Sequence, residues 1–114
     1  MSQVNSNQNA SAAETAQIEI IGSEPFSKTD TKEMPVYRAY GYTGKWSGKT
    51  VPPTQGARVK INFNGLGEGE VINYFSEDGW LGIRVRLDKE PAWRKKQSAA
   101  GKPAMVFGAE ITVI

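Results

Sequence analysis

Glycine and proline interrupt this chain so often that they decide its fold class. Twelve glycines and six prolines are spread over 114 residues, and no window of about 10 residues between them has the apolar spacing of an amphipathic helix. Short runs rich in β-branched and aromatic residues alternate with turn signals instead, which is typical of β-sandwiches and β-barrels. The sequence therefore predicts an all-β protein.

The strand pattern is clearest in two segments. Apolar and polar residues alternate strictly over residues 58–63 and again over residues 80–87. The pair Asn64-Gly65 follows the first segment and is a strong hairpin signal, and residues 76–79 form a second predicted turn. Weaker strand patterns cover residues 18–21, 36–42, 69–75 and 110–114.

The strands divide the chain into three predicted parts. We expect a single small SH3-like barrel of five strands over residues 56–114, preceded by an extension, residues 18–55, that adds one or two strands. Residues 1–17 carry a single charge, Glu14, and almost no side chain to bury, so we expect a disordered arm. An OB-fold is the alternative, but it usually has a helix before its fourth strand, where this chain offers only a possible short turn near residues 91–96.

Composition argues against an enzyme. The chain has no cysteine and no histidine, which excludes disulfides, thiol nucleophiles, a Ser-His-Asp triad and a typical zinc site. The carboxylate pairs lie in or beside predicted turns, where acidic residues are ordinary. These pairs are Glu68/Glu70, Glu77/Asp78 and Asp88/Glu90. We therefore expect no catalysis, no cofactor and no metal site.

Charge and hydropathy indicate the partner class. No apolar run approaches the roughly 20 residues that a membrane-spanning helix needs, and the first residues lack a secretory pattern, so we expect a cytoplasmic protein without a membrane partner. Residues 34–114 carry 12 bases and 7 acids, against an acidic excess in residues 1–33. This mildly basic body favours an anionic partner.

Part of the chain resembles known small barrels. Residues 56–61, GARVKI, and 67–71, GEGEV, look like the opening strands of KOW and Tudor-type SH3-like barrels. Residues 79–91 are similar to the corresponding hairpin of CAP-Gly domains, without the Gly-Lys-Asn-Asp-Gly signature that gives those domains their peptide specificity. The resemblance implies a barrel and a binding role, but no particular partner, since such barrels bind RNA, DNA, peptides and methylated tails.

The strand at residues 80–87 presents one apolar and one polar face. Alternation predicts that Leu81, Ile83, Val85 and Leu87 face the core, whereas Trp80, Arg84 and Arg86 face outward. The predicted turn before this strand has an even number of residues, which fixes how the preceding strand, residues 69–75, pairs with it. That pairing predicts that Ile72 and Tyr74 face the core. It predicts that Val71, Asn73 and Phe75 face outward. A single bulge in the strand at residues 69–75 would exchange which of its side chains face the core and which face outward.

Aromatic and basic residues together suggest nucleic acid. Outward arginines beside aromatic rings are the features that small β-domains use to hold single strands. The competing interpretation is that Trp80 or Phe75 packs beneath the N-terminal strands and that the arginines are ordinary surface charges. Two predicted loops, one at residues 93–103 and one at residues 45–49, repeat the combination of a tryptophan with cations, for which local cation–π pairing is the competing explanation.

The sequence thus predicts a non-catalytic binding module whose partner is nucleic acid, with single strands favoured. Arginines and lysines would contact phosphates, and Trp80 and Trp93 would stack on bases. The alternative is a protein-binding adaptor or an oligomerisation module that uses the same aromatic surface. The candidate binding residues are Lys45, Trp46, Lys49, Phe75, Trp80, Arg84, Arg86, Trp93, Arg94, Lys95 and Lys96.

Overall fold

A computed structural model describes residues 17–27, 30–98 and 100–114 as an all-β protein. The elements are β1 (Ile18–Ser27), β2 (Asp30–Ala39), β3 (Tyr42–Lys45), β4 (Arg58–Ile61), β5 (Gly67–Glu77), β6 (Trp80–Leu87), α1 (Ala92–Lys95), β7 (Ala104–Phe107), a 3-10 helix (Gly108–Glu110) and β8 (Ile111–Val113). The predicted fold class is confirmed. The predicted N-terminal arm lies outside the described residues, except for Gln17.

The strands form one sheet that curls as in a small barrel. Their order is β1-β2-β3-β6-β5-β4-β8, and β7 pairs with β6. All pairs are antiparallel except β3 with β6, which meet in a parallel bridge between Lys45 and Trp80. The sheet has eight strands, more than the five expected for the barrel alone, because β1, β2 and β3 continue it.

The core fills the concave side of this sheet. The alternation predicted for β6 is confirmed, since Leu81, Ile83 and Val85 are fully buried. Tyr74 from β5 is also fully buried, and its hydroxyl donates a hydrogen bond to the carbonyl of Pro53. Burial raises the pKa of the Tyr74 phenol. The remaining fully buried apolar residues include Val59, Val71 and Val106.

The N-terminal extension contributes three strands, because the predicted strand at residues 36–42 folds back on itself. Tyr40 and Gly41 form the turn between β2 and β3 with φ angles of 51° and 90°. A bulky residue rarely adopts positive φ. Here the Tyr40 ring stacks on Tyr74 at a centroid distance of 5.0 Å, and the Tyr40 amide donates to the carbonyl of Gln17. These tertiary contacts stabilise a turn that the local sequence does not indicate.

A bulge in β5 changes which of its residues face the core. Val71 pairs with Val85 and Asn73 pairs with Arg84, so Ile72 has no residue opposite it. The predictions that Val71 faces outward and Ile72 faces the core are therefore wrong: Val71 is fully buried and Ile72 lies on the bulge, half-buried. Beyond the bulge, the predicted facing of Asn73 and Tyr74 holds.

Candidate nucleic-acid interface

Phe75 lies on the outer side of the sheet, as predicted, but it is covered there. Its ring contacts Phe107 of β7 edge to face, with centroids 5.3 Å apart, and the Arg84 guanidinium lies 5.6 Å from its ring centroid. The ring also occupies the space above Gly82, where a β-carbon would overlap it. Only 4% of Phe75 is exposed, so the structure removes this residue from the predicted stacking surface.

The two arginines of β6 are both engaged by the protein itself. Arg84 donates to the carbonyl of Tyr74 at 2.6 Å and to the side-chain oxygen of Asn73 at 3.2 Å. Arg86 pairs with Glu70 at 3.0 Å, although its side chain is 66% exposed. An exposed ion pair is weak, so Arg86 remains accessible, although the opposite charge of Glu70 lies beside it.

Trp80 and Lys45 meet at the bridge between β3 and β6. The ammonium of Lys45 lies 5.0 Å from the centre of the Trp80 ring, within cation–π range. Trp80 is half-buried. The sequence proposed both residues as binding candidates, but it offered no reason to bring them together, because the bridge joins strands that are 35 positions apart in sequence.

Trp46 is a core residue rather than a binding residue. Only 1% of it is exposed, and its indole nitrogen donates to the carbonyl of Thr50 at 2.6 Å. The ring packs against Gly48 and Gly108, where an added β-carbon would lie 2.6 Å and 2.8 Å, respectively, from indole atoms. Gly108 belongs to the 3-10 helix of the barrel. Trp46 therefore links the N-terminal extension to the barrel. Although it was a candidate binding residue, its side chain is buried in this structure.

Arg94 likewise has a structural role. It is 7% exposed, pairs with Glu90 at 2.8 Å, and donates to the carbonyl of Lys102 at 3.0 Å. The Glu90 carboxylate also accepts a hydrogen bond from the amide of Gly101 at 3.0 Å. These contacts tie the two ends of the loop between β6 and β7 together. Arg94 was a candidate phosphate contact, but here its guanidinium is buried and makes its polar contacts within the loop.

The same loop presents Trp93 to solvent in a fixed position. Trp93 is 43% exposed, and its indole nitrogen donates to the carbonyl of Asn64 at 3.2 Å. Lys95 and Lys96 follow it, and both are exposed. The nitrogen edge of the indole is thus held against the turn between β4 and β5, while part of the ring stays exposed.

A shallow depression continues this surface beyond Asn64. It encloses about 510 Å³ and is lined by Lys60, Ile61, Asn62, Phe63, Asn64, Gly65 and Gly67. No acidic residue lines it. We call Trp93, Lys95 and Lys96, together with Lys60 and Phe63 of this depression, the Trp93 platform. Lys60 and Phe63 were not among the predicted binding residues, because residues 58–63 alternate like a core strand.

Asp88 and Arg58 form an ion pair where the loop leaves β6. The guanidinium of Arg58 donates to both carboxylate oxygens of Asp88, one at 2.9 Å, and lies 3.7 Å from Glu68. These hydrogen bonds hold the pKa of the Asp88 carboxyl below its usual value. Arg58 is therefore neutralised beside the platform, which leaves the lysines as its cations.

The predicted candidates do not form one continuous surface. Trp80 begins β6 and Trp93 lies beyond its end, and the strand alone spans roughly 23 Å at about 3.3 Å per residue. Lys49 is exposed on a third region, beside the 3-10 helix. The structure thus separates a covered Trp80 face from an open Trp93 platform.

Comparisons with known proteins add no family to this description. A scan of protein families, a search of curated proteins and a search of solved structures each found no match to the chain. In the described ranges, no helix has the length and apolar character needed to cross a bilayer. Function must therefore be argued from the geometry of the site.

Proposed function

We propose that this protein is a non-catalytic module that binds single-stranded nucleic acid on the Trp93 platform. The observation that carries the proposal is the partly exposed indole of Trp93, fixed at its nitrogen edge by Asn64. A ring that is already held in place loses little conformational freedom when a base stacks on it.

Charge supports an anionic ligand at this place. Lys95 and Lys96 lie two and three residues after Trp93, beyond Arg94, and Lys60 lines the adjoining depression. Among the described residues, none of these three lysines belongs to an ion pair. Phosphates that replace their counterions would supply a salt-dependent part of the affinity, and stacking would supply a salt-independent part.

Single strands are favoured over duplex because stacking requires an open base. A base in a duplex already stacks on its neighbours, and an aromatic side chain reaches its face only after the base is displaced. A protein-binding adaptor that uses the same platform is the alternative, and it predicts no affinity for oligonucleotides.

The test is a binding titration of a labelled oligothymidylate at several salt concentrations. Trp93→Ala should weaken binding by about 1–3 kcal/mol for one stacked base, or roughly 5- to 150-fold, without changing the salt slope. The double variant Lys95→Gln/Lys96→Gln should make the slope of log K against log salt shallower by about 0.7 for each phosphate that these lysines neutralise.

Trp80→Phe and Lys45→Gln are matched controls at the other end of β6, and both should bind like the unmodified protein. Equal weakening by the control and platform variants would contradict the proposed location. Absence of oligonucleotide affinity at low salt would contradict the function and favour the adaptor. Equal affinity for duplex and single strand would contradict the stacking step.

A further inference from the structure

The outer edge of β8 borders a cleft that lies apart from Trp93. The cleft encloses about 400 Å³ between the loop at residues 46–50 and the segment that contains the 3-10 helix and β8. This volume is within the range of about 300–1,000 Å³ that is usual for ligand sites. Ile111, Thr112 and Val113 form part of its wall.

Only every second residue between Glu110 and Ile114 forms backbone hydrogen bonds with β4. The amide of Asn62 donates to the carbonyl of Glu110 at 2.8 Å, and the amide of Ile114 donates to the carbonyl of Arg58 at 3.0 Å. In an antiparallel ladder the bonded positions alternate. Val113 pairs with Val59 between these bonded positions, so its N–H and C=O point away from β4.

The same alternation applies to Ile111. The Ile111 amide donates to the carbonyl of Gly108 in the 3-10 helix. The Ile111 carbonyl is the one backbone group of this residue that still needs a partner. Three backbone groups therefore face the cleft side of β8: the Ile111 carbonyl and both backbone groups of Val113. None of them has a partner among the described residues. An edge that exposes such groups is a template for another strand.

The opposite wall of the cleft is held by a hydrogen bond and carries one lysine. Trp46 is buried beneath it, and the Ser47 hydroxyl accepts a hydrogen bond from the amide of Ala109 at 2.8 Å. Lys49 lines the cleft, is exposed, and has no acidic residue beside it among the lining residues. A ligand in the cleft would therefore meet a row of backbone donors and acceptors on one side and a positive charge on the other.

We propose that this cleft binds an extended, acidic peptide segment of a protein partner, which adds to the free edge of β8 as a further strand. A peptide backbone offers donors and acceptors at the spacing that the Val113 groups require. An acidic side chain of the segment would lie against Lys49. The cleft adjoins the Trp93 platform, since Asn62 lines both depressions and Lys60 of the platform pairs with Thr112 of β8. The peptide proposal does not rest on the nucleic-acid proposal.

The experiment uses two blocked peptides, acetyl-Thr-Val-Glu-Val-Thr-amide and its counterpart with Lys in the central position. Each is titrated into the full chain while amide signals are followed by NMR. The Glu peptide should shift the Val113 amide and slow its hydrogen exchange. It should also bind up to about fivefold tighter than the Lys peptide, which is the range of an exposed ion pair. Lys49→Glu should reverse the order of the two peptides.

Val113→Pro removes the N–H that faces the cleft and leaves the bonded positions of the β4 ladder unchanged, so it should abolish binding. Val113→Ala retains the N–H and should bind normally, which makes it the matched control. If the proline variant fails to fold, the reversal by Lys49→Glu still decides the question.

Three results would overturn the proposal. The first is that neither peptide moves the Val113 amide. The second is that an oligonucleotide moves it as strongly as the Glu peptide does, which would assign the cleft to nucleic acid. The third is a concentration-dependent dimer that is lost in Val113→Pro, which would assign the edge to a second copy of the chain. The first and third results leave the prediction for Trp93→Ala unchanged. In the second case, the effect of Trp93→Ala on oligonucleotide affinity still decides whether the platform binds nucleic acid, so the two proposals fail separately.

Discussion

Replacing Trp46 with alanine should destabilise the protein far more than the same change at Trp93, although the two residues look alike in the sequence. Trp46 is 1% exposed and Trp93 is 43% exposed. Truncating a fully buried tryptophan costs about 3–5 kcal/mol, against a total stability of about 5–15 kcal/mol for a typical domain. Thr50 is an exposed residue, so we expect its carbonyl, which loses the indole donor, to bond to water and add little to this cost.

Urea denaturation followed by circular dichroism measures the difference. With a slope near 2 kcal/mol per molar, a loss of 3–5 kcal/mol lowers the midpoint by roughly 1.5–2.5 M. Trp93→Ala should stay within about 1 kcal/mol of the unmodified protein, because its ring is only partly buried. Trp46→Phe should fall between the two, since it restores part of the packing but no hydrogen-bond donor.

Equal midpoints for Trp46→Ala and Trp93→Ala would refute the reasoning. That result would mean that the N-terminal extension is not fastened to the barrel through Trp46. The slope is a second check: a changed slope in Trp46→Ala would show that the extension unfolds separately from the barrel.

Two further predictions concern the sheet and its charges. Gly82→Ala should cost about 1–3 kcal/mol, because its β-carbon would overlap the Phe75 ring and lie 2.8 Å from the Val106 carbonyl oxygen; an unchanged thermal midpoint would contradict this. Arg58→Gln should raise the pKa of the Asp88 carboxyl toward its usual value near 3.9, as followed by NMR titration. Folding lowers this pKa, so the stabilisation by the pair is present above the unfolded-state value and is lost as the pH falls through the folded-state value. The difference in stability between the two proteins should therefore disappear in acid, and a difference that persists there would contradict the assignment.

The sequence predicted the parts of the fold that depend on local alternation and turn chemistry. The apolar face of β6 and the turns at Asn64-Gly65 and Asp78-Gly79 are present, and both residues of each turn have positive φ. The turn at Tyr40-Gly41 was missed, because a tyrosine at positive φ depends on its contact with Tyr74. Local sequence contains no sign of such a distant partner.

The candidate site was less predictable because burial is a tertiary property. Trp46, Trp93 and Arg94 all lie in segments that combine a tryptophan with basic residues. Trp46 is nevertheless buried against the 3-10 helix, and Arg94 is paired with Glu90. β7 (Ala104–Phe107) was missed because no strand was predicted between the loop ending at Pro103 and the strand pattern at residues 110–114. Phe75 is covered partly by Phe107 of that strand. Both Trp46 and Trp93 were predicted to lie in basic loops, but only Trp93 is exposed.

The most direct test of the proposed function is to follow the indole N–H signals of the three tryptophans by NMR while an oligothymidylate is added. If the protein binds single strands on the Trp93 platform, the Trp93 signal should shift progressively and saturate, and the Trp46 signal should stay in place. Raising the salt concentration should weaken the response. A shift at Trp80 with Trp93 unchanged, or three unchanged signals, would contradict the proposed function.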